Sequence, residues 1–121
     1  MEEACPGSRE AELPPSPAGY VALTFDDGPS KNTAKVLDIL AEKQVPATFF
    51  VVASDHNSNY LPLIARQQSE GHQVALHSCT HDYSQIYQNP QAYWNDIEAL
   101  KQRLSAYVDA DGIRYLRFPG G

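Results

Sequence analysis

Pro46-Ala47-Thr48-Phe49-Phe50-Val51-Val52 is the stretch that decides the fold. Nothing charged interrupts it and apolar residues do not alternate with polar ones, so it suits a strand buried on both faces, as parallel sheets require. Such a strand needs helices on either side, and the flanking sequence supplies them. Upstream, a helix begins at about Asn32 or Thr33, either of which can cap it, with Val36, Leu37, Leu40 and Ala41 on one face and Lys35, Asp38 and Glu42 elsewhere. Downstream, Leu61 to Glu70 forms a second helix, with Pro62 in its first turn, Leu61, Ile64 and Ala65 on one face and Gly71 as a left-handed cap.

Working outward, Val21 to Phe25 predicts a first strand, ended by the turn chemistry of Asp26-Asp27-Gly28-Pro29, and Gln73 to Leu76 or His77 predicts a third. Asn89-Pro90 opens the longest helix, in which Tyr93, Ile97, Leu100 and Leu104 recur at spacings of four, three and four. Ile113 to Phe118 predicts a fourth strand, ending at Pro119-Gly120-Gly121. The order βαβαβαβ makes this an α/β chain of about four parallel strands with right-handed crossovers. Ligands of such sheets gather at the carboxyl ends of the strands.

Composition narrows the function. The chain has 121 residues, enough for one small domain and too few for a full eight-unit (β/α) barrel, which needs about 250. Nine basic and fifteen acidic residues leave a formal net charge of -6, which disfavours nucleic acid and anionic membranes as partners and leaves neutral sugars open. No apolar run approaches the roughly 20 residues of a membrane span, and no signal-peptide pattern stands at the N-terminus. Cys5 and Cys79 form no CxxC pair. Residues 1–19 carry four of the nine prolines and Arg9 against Glu2, Glu3, Glu10 and Glu12, so they read as an extended leader or linker, with the domain spanning 20–121.

Three clusters fall at the carboxyl edge of the predicted sheet. Asp26-Asp27-Gly28-Pro29 reads either as a turn with helix-capping carboxylates or as one carboxylate for a metal and one for a proton, since neighbouring side chains diverge. His77-Ser78-Cys79-Thr80-His81 reads either as two hydrogen-bonded or solvated histidines or as a pair meeting on one side of a helical turn to bind an ion, with Cys79 between them a small buried residue. Arg117-Phe118-Pro119-Gly120-Gly121 reads either as a loop with a solvated arginine or as a fixed cation orienting a carboxylate, beside glycine N–H groups open to a substrate oxygen. Three independent accidents would have to bring acid, imidazole and guanidinium to one edge.

Thr24-Phe25-Asp26-Asp27-Gly28-Pro29, His77-Ser78-Cys79-Thr80-His81 and Arg117-Phe118-Pro119-Gly120, in this order, resemble the signature of the polysaccharide deacetylases of the NodB-homology family, carbohydrate esterase family 4. Ala47-Thr48-Phe49-Phe50-Val51 and Gly71-His72 are similar flanking features, and the likeness covers roughly residues 20 to 121. The resemblance implies a partial, distorted (β/α) barrel acting on acetylated glycans such as peptidoglycan or chitin-like oligomers and releasing acetate. It implies that Asp27, His77 and His81 hold one divalent ion, usually zinc, that Asp26 is the catalytic base, and that Arg117 orients Asp26. The backbone N–H of Gly120 is the implied oxyanion donor. It also implies work outside the cytoplasm, in a parent protein at the cell surface.

Two departures matter. Gly120 stands where the family carries an aromatic residue, so a ring lining the substrate groove is expected to be lost. The motif that supplies the general acid, and another that braces the arginine, have no counterpart here; His56 is expected to be a solvated loop residue and His72 to sit at the wrong edge of the sheet. The chain is therefore expected to be about half of a catalytic barrel, holding metal site and base without the acid. An O-acetyl esterase acting on xylan and a non-catalytic glycan-binding module are the rival expectations, and the intact Asp27, His77 and His81 set disfavours a metal-independent amide hydrolase.

Overall fold

The computed structural model describes residues 21–120, so the leader expected at 1–19, the domain start at Tyr20, Cys5 and Gly121 lie outside the described residues. The order is β1 (Thr24–Asp26), α1 (Thr33–Lys43), β2 (Thr48–Val52), a 3₁₀ turn (Asp55–Tyr60), α2 (Leu63–Ser69), β3 (Gln73–Ser78), α3 (Tyr83–Ile86), α4 (Pro90–Leu104) and a second 3₁₀ turn (Ala110–Gly112). β1, β2 and β3 form a parallel sheet in that spatial order.

β2 is central, as its apolar run demands. Phe49, Phe50, Val51 and Val52 are all buried, with Phe49 and Val51 in a core shared with Leu37 and Leu40 of α1, Ile64 of α2, Leu76 of β3 and Ile97 and Leu100 of α4. The periodicity of α4 is realised in full: Tyr93, Ile97, Leu100 and Leu104 are buried, and the Asn89 side chain caps the helix by accepting from the N–H of Ala92 at 2.8 Å. α1 starts at Thr33 as expected, but Asn32 makes no side-chain cap; Thr33 Oγ1 instead accepts from the N–H of Ser30 at 2.8 Å. Ala41, assigned to the apolar face, is exposed.

β1 runs from Thr24 to Asp26, not from Val21, because β2, its only partner among the described residues, begins pairing at Thr48, whose N–H donates to the carbonyl of Leu23. Val21 stays exposed. The second helix is shorter than expected, and the segment before it, read as a loop, forms the 3₁₀ turn that carries an exposed His56 and a buried Asn57. Asn57 Nδ2 donates to the carbonyls of Val52, at 2.7 Å, and Pro29, at 3.1 Å, tying the loop after β1 to the end of β2.

The fourth strand, expected over Ile113–Phe118, is a single parallel bridge between Leu76 and Leu116. Leu76 N–H donates to the carbonyl of Tyr115 and Arg117 N–H donates to the carbonyl of Leu76, each at 2.9 Å. The next bond of a parallel ladder would go from Ser78 N–H to the carbonyl of Arg117. That carbonyl accepts from His77 Nδ1 instead, at 2.7 Å. The ladder stops at the point where a histidine side chain engages that carbonyl.

Candidate metal centre

The carboxyl edge is built by three irregularities. Asp26 ends β1, and Asp27 follows it with a left-handed backbone, φ 73°, which turns consecutive carboxylates to different partners. Val51 pairs with Leu76 and Val52 with Ser78, so His77 is the extra residue of a β-bulge, a device that re-aims a side chain. His81 is also left-handed, φ 55°. The two histidines do not share a helical turn, as their spacing suggested: His77 belongs to β3 and His81 to the bend after it.

These features converge. Asp27 Oδ1 lies 3.1 Å from Nε2 of His77 and 3.1 Å from Nε2 of His81, and one ligand atom of each residue falls within 4.8 Å of the others. His77 is 3% exposed, whereas the Asp27 side chain is 63% exposed, so the cluster is closed beneath and open to solvent above. The donors suit a divalent ion. A backbone carbonyl can only accept, so the bond to Arg117 requires the proton on His77 Nδ1 and leaves Nε2 as a lone pair when the ring is neutral. A lone pair facing a carboxylate oxygen at 3.1 Å is repulsive, and a cation or a second proton there relieves it. Two neutral imidazoles and one carboxylate are also the donors of open divalent sites.

Asp26 has a different partner. Arg117 Nη1 donates to Asp26 Oδ1 at 2.8 Å and to Thr24 Oγ1 at 3.3 Å, while its guanidinium lies 4.1 Å from the centroid of the Phe50 ring. Neither aspartate caps α1. The acid, imidazole and guanidinium clusters therefore stand together at one edge.

Asp96, which sequence reasoning missed, shapes the histidine loop. Its buried carboxylate accepts from Ser78 Oγ at 2.6 Å, Cys79 N–H at 2.8 Å, and Thr80 N–H and Oγ1 at 3.1 Å each. Ser78 Oγ in turn accepts from His81 N–H at 2.8 Å. A signal was present: Asp96 lies between Tyr93 and Leu100 on the apolar stripe of α4, where a carboxylate must be satisfied from another element. Tyr93 donates its hydroxyl to the carbonyl of His77 at 3.0 Å, and burial pushes that phenol up to about 12, so it remains a donor at any working pH. Cys79 is the small buried residue expected: its Sγ donates to the carbonyl of Ala53 at 3.5 Å, and burial, then Asp96, raise its thiol.

Of the remaining histidines, His56 is exposed on the 3₁₀ turn, and His72 lies at the start of β3, the opposite edge. Gly120 has φ 79° and packs against Tyr83.

Comparison with known proteins finds relatives of this chain. The family model described as "Polysaccharide deacetylase" matches residues 14–121. A peptidoglycan-N-acetylglucosamine deacetylase of Bacillus cereus is 40% identical over 99 residues, covering 82% of this chain and 35% of the relative. A bifunctional xylanase/deacetylase of Pseudobutyrivibrio xylanivorans is 48% identical over 99 residues, covering 82% of this chain and 16% of the relative. Among solved structures, the catalytic domain of peptidoglycan N-acetylglucosamine deacetylase from Eubacterium rectale superimposes with a TM-score of 0.76 at 42% identity, covering 83% of this chain and 44% of that one. The chain thus spans less than half the length of each of these proteins.

Proposed function

The chain belongs to the polysaccharide deacetylase family, and from that premise we propose that it carries the metal site and base of a hydrolase that removes N-acetyl groups from glycans containing N-acetylglucosamine. The observation that carries the reading is the meeting of Asp27, His77 and His81 beside the Asp26–Arg117 pair. Two of the relatives compared are named for acting on N-acetylglucosamine of peptidoglycan. Peptidoglycan lies outside the cytoplasm, and in this reading the chain works there. Among the described residues no helix is long and apolar enough to cross a membrane.

In this mechanism Asp27, His77 and His81 hold one divalent ion, zinc in our reading. When bound, the ion supplies Lewis acidity, lowering the pKa of a water and polarising the acetyl carbonyl. The residues of the chain do the rest. Arg117 engages one oxygen of Asp26, and the other oxygen takes the proton from the water that attacks the acetyl carbon. The N–H of Gly120 is assigned to the developing oxyanion, and the bond from carbon to nitrogen then breaks to give acetate and a free amine. Neither His56 nor His72 stands at this edge, so protonation of the leaving amine is assigned to an acid other than these two histidines.

The test is acetate release from N-acetylglucosamine oligomers, run alongside zinc titration. His77→Ala is expected to lose both metal and acetate release, whereas Asp26→Asn keeps the metal and loses about 10² to 10⁴ in rate. Acetate release that survives in His77→Ala sinks the assignment. A second reading, an O-acetyl esterase acting on xylan, is favoured by the xylanase/deacetylase relative. Acetate release from acetylated xylan in preference to the oligomers would establish it, and glycan binding without any acetate would mark a binding module.

A further inference from the structure

By sequence alone, Gly120 marks a lost ring. The structure holds a ring in that volume. A Cβ placed on Gly120 would lie 3.0 Å from the Tyr83 hydroxyl oxygen, 3.3 Å from Cζ and 3.7 Å from Cε1, so the phenol of Tyr83 occupies the space a side chain at 120 would take. The left-handed backbone of Gly120, φ 79°, disfavours any side chain there in the first place. Tyr83 is also a neighbour of the metal centre: its ring centroid is 5.5 Å from that of His81, with 39° between the planes.

The ring is held in place and still open. Asp82 caps α3 by accepting from the N–H and hydroxyl of Ser84, which sets the start of the helix at Tyr83. Tyr87, whose ring centroid is 5.8 Å from that of Tyr83, donates its hydroxyl to the carbonyl of Pro119 and so ties α3 to the segment carrying Arg117 and Gly120. Tyr83 nevertheless remains 52% exposed. An aromatic face that is rigidly supported and half open beside a hydrolytic centre suits the apolar C–H face of a pyranose.

We propose that Tyr83 is the specificity-determining ring of this site, the surface on which the acetylated sugar stacks, taking the place of a side chain at 120. The proposal rests on the deacetylase reading and adds to it a residue that contributes sugar affinity rather than chemistry. The hydroxyl is turned toward Gly120, so the ring face, not the oxygen, makes the contact.

Calorimetric titration of zinc-loaded protein with the N-acetylglucosamine tetramer tests it, with zinc affinity and the kcat and KM of acetate release measured in parallel. Tyr83→Ala is expected to weaken tetramer binding and raise KM about tenfold, the size of a lost ring contact, with kcat and zinc affinity within about threefold of the parent. Tyr83→Phe should bind the tetramer within about twofold of the parent. Unchanged tetramer affinity in Tyr83→Ala overturns the proposal, as does a fall in zinc affinity that matches the fall in sugar affinity, which would make Tyr83 a support for His81. Failure of the deacetylase reading looks different: the parent then releases no acetate, while tetramer binding that still needs the ring upholds Tyr83 as a sugar platform. A parent that binds zinc but not the tetramer overturns the ring proposal alone.

Discussion

His72 and His77 stand at opposite ends of one strand and are used in opposite ways. At the amino end of β3, His72 Nδ1 accepts from the N–H of Ala47 at 3.1 Å, which puts the proton on Nε2, a buried atom with no partner among the described residues. At the carboxyl end, His77 Nδ1 donates to the carbonyl of Arg117, and its Nε2 is aimed at Asp27. Both rings are buried. What separates them is which backbone group each meets, an N–H in one case and a C=O in the other. A parallel sheet offers functional geometry only where its strands end in loops that can bring other donors in.

The sharpest break of this comparison is to delete each ring in turn. His77→Ala should abolish metal binding, while His72→Ala should leave zinc affinity within about twofold and cost stability of about 1–3 kcal/mol, the range for stranding a buried N–H. Chemical denaturation beside zinc titration separates the two outcomes, and metal loss in His72→Ala would collapse the distinction. Removing the support of the loop comes next. Asp96→Ala frees Ser78, Cys79 and Thr80 from their shared acceptor, and zinc affinity should fall about 10- to 100-fold although Asp96 touches no ligand atom. Unaltered zinc affinity would show that the left-handed turn at His81 holds without it.

The smallest effect is one of pH. The Ser84 hydroxyl, then its N–H, hold the exposed Asp82 carboxyl below its ordinary value. A carboxyl depressed in the folded state stabilises above its unfolded pKa, and that contribution fades as pH falls below about 4 through the folded value. Protection of the α3 amides, taken relative to the intrinsic exchange rate at each pH, should therefore fall in acid, and Asp82→Asn should remove that acid dependence.

Much of this could be read from the chain because the signals are local. The stripe of Leu100 and Leu104, the Asn89-Pro90 cap and the unbroken Phe49 to Val52 run each express a preference of neighbouring residues. The misreadings have a common cause in partners distant along the chain. Ile113–Phe118 has strand composition, yet it makes only one bridge to β3, and the bulged His77 engages the Arg117 carbonyl where the ladder would continue. The spacing of His77 and His81 suggested a shared helical turn, yet the loop between them is non-helical and hydrogen-bonds to Asp96, on a different element. Arg117 was legible as a cation, but the Phe50 ring beneath it was not.

By itself the sequence determined the alternation of strands and helices, the edge at which chemistry gathers, and the residue types present there, since apolar periodicity and turn chemistry depend on short spacings. The tertiary structure alone decided how those residues meet. Left-handed backbone at Asp27 and His81, a bulge at His77 and a buried carboxylate on α4 bring three donors to one point, and Tyr83 fills the space that Gly120 leaves. These are contacts between segments far apart in the chain, and their geometry exists only once the core has set the strands and helices in register.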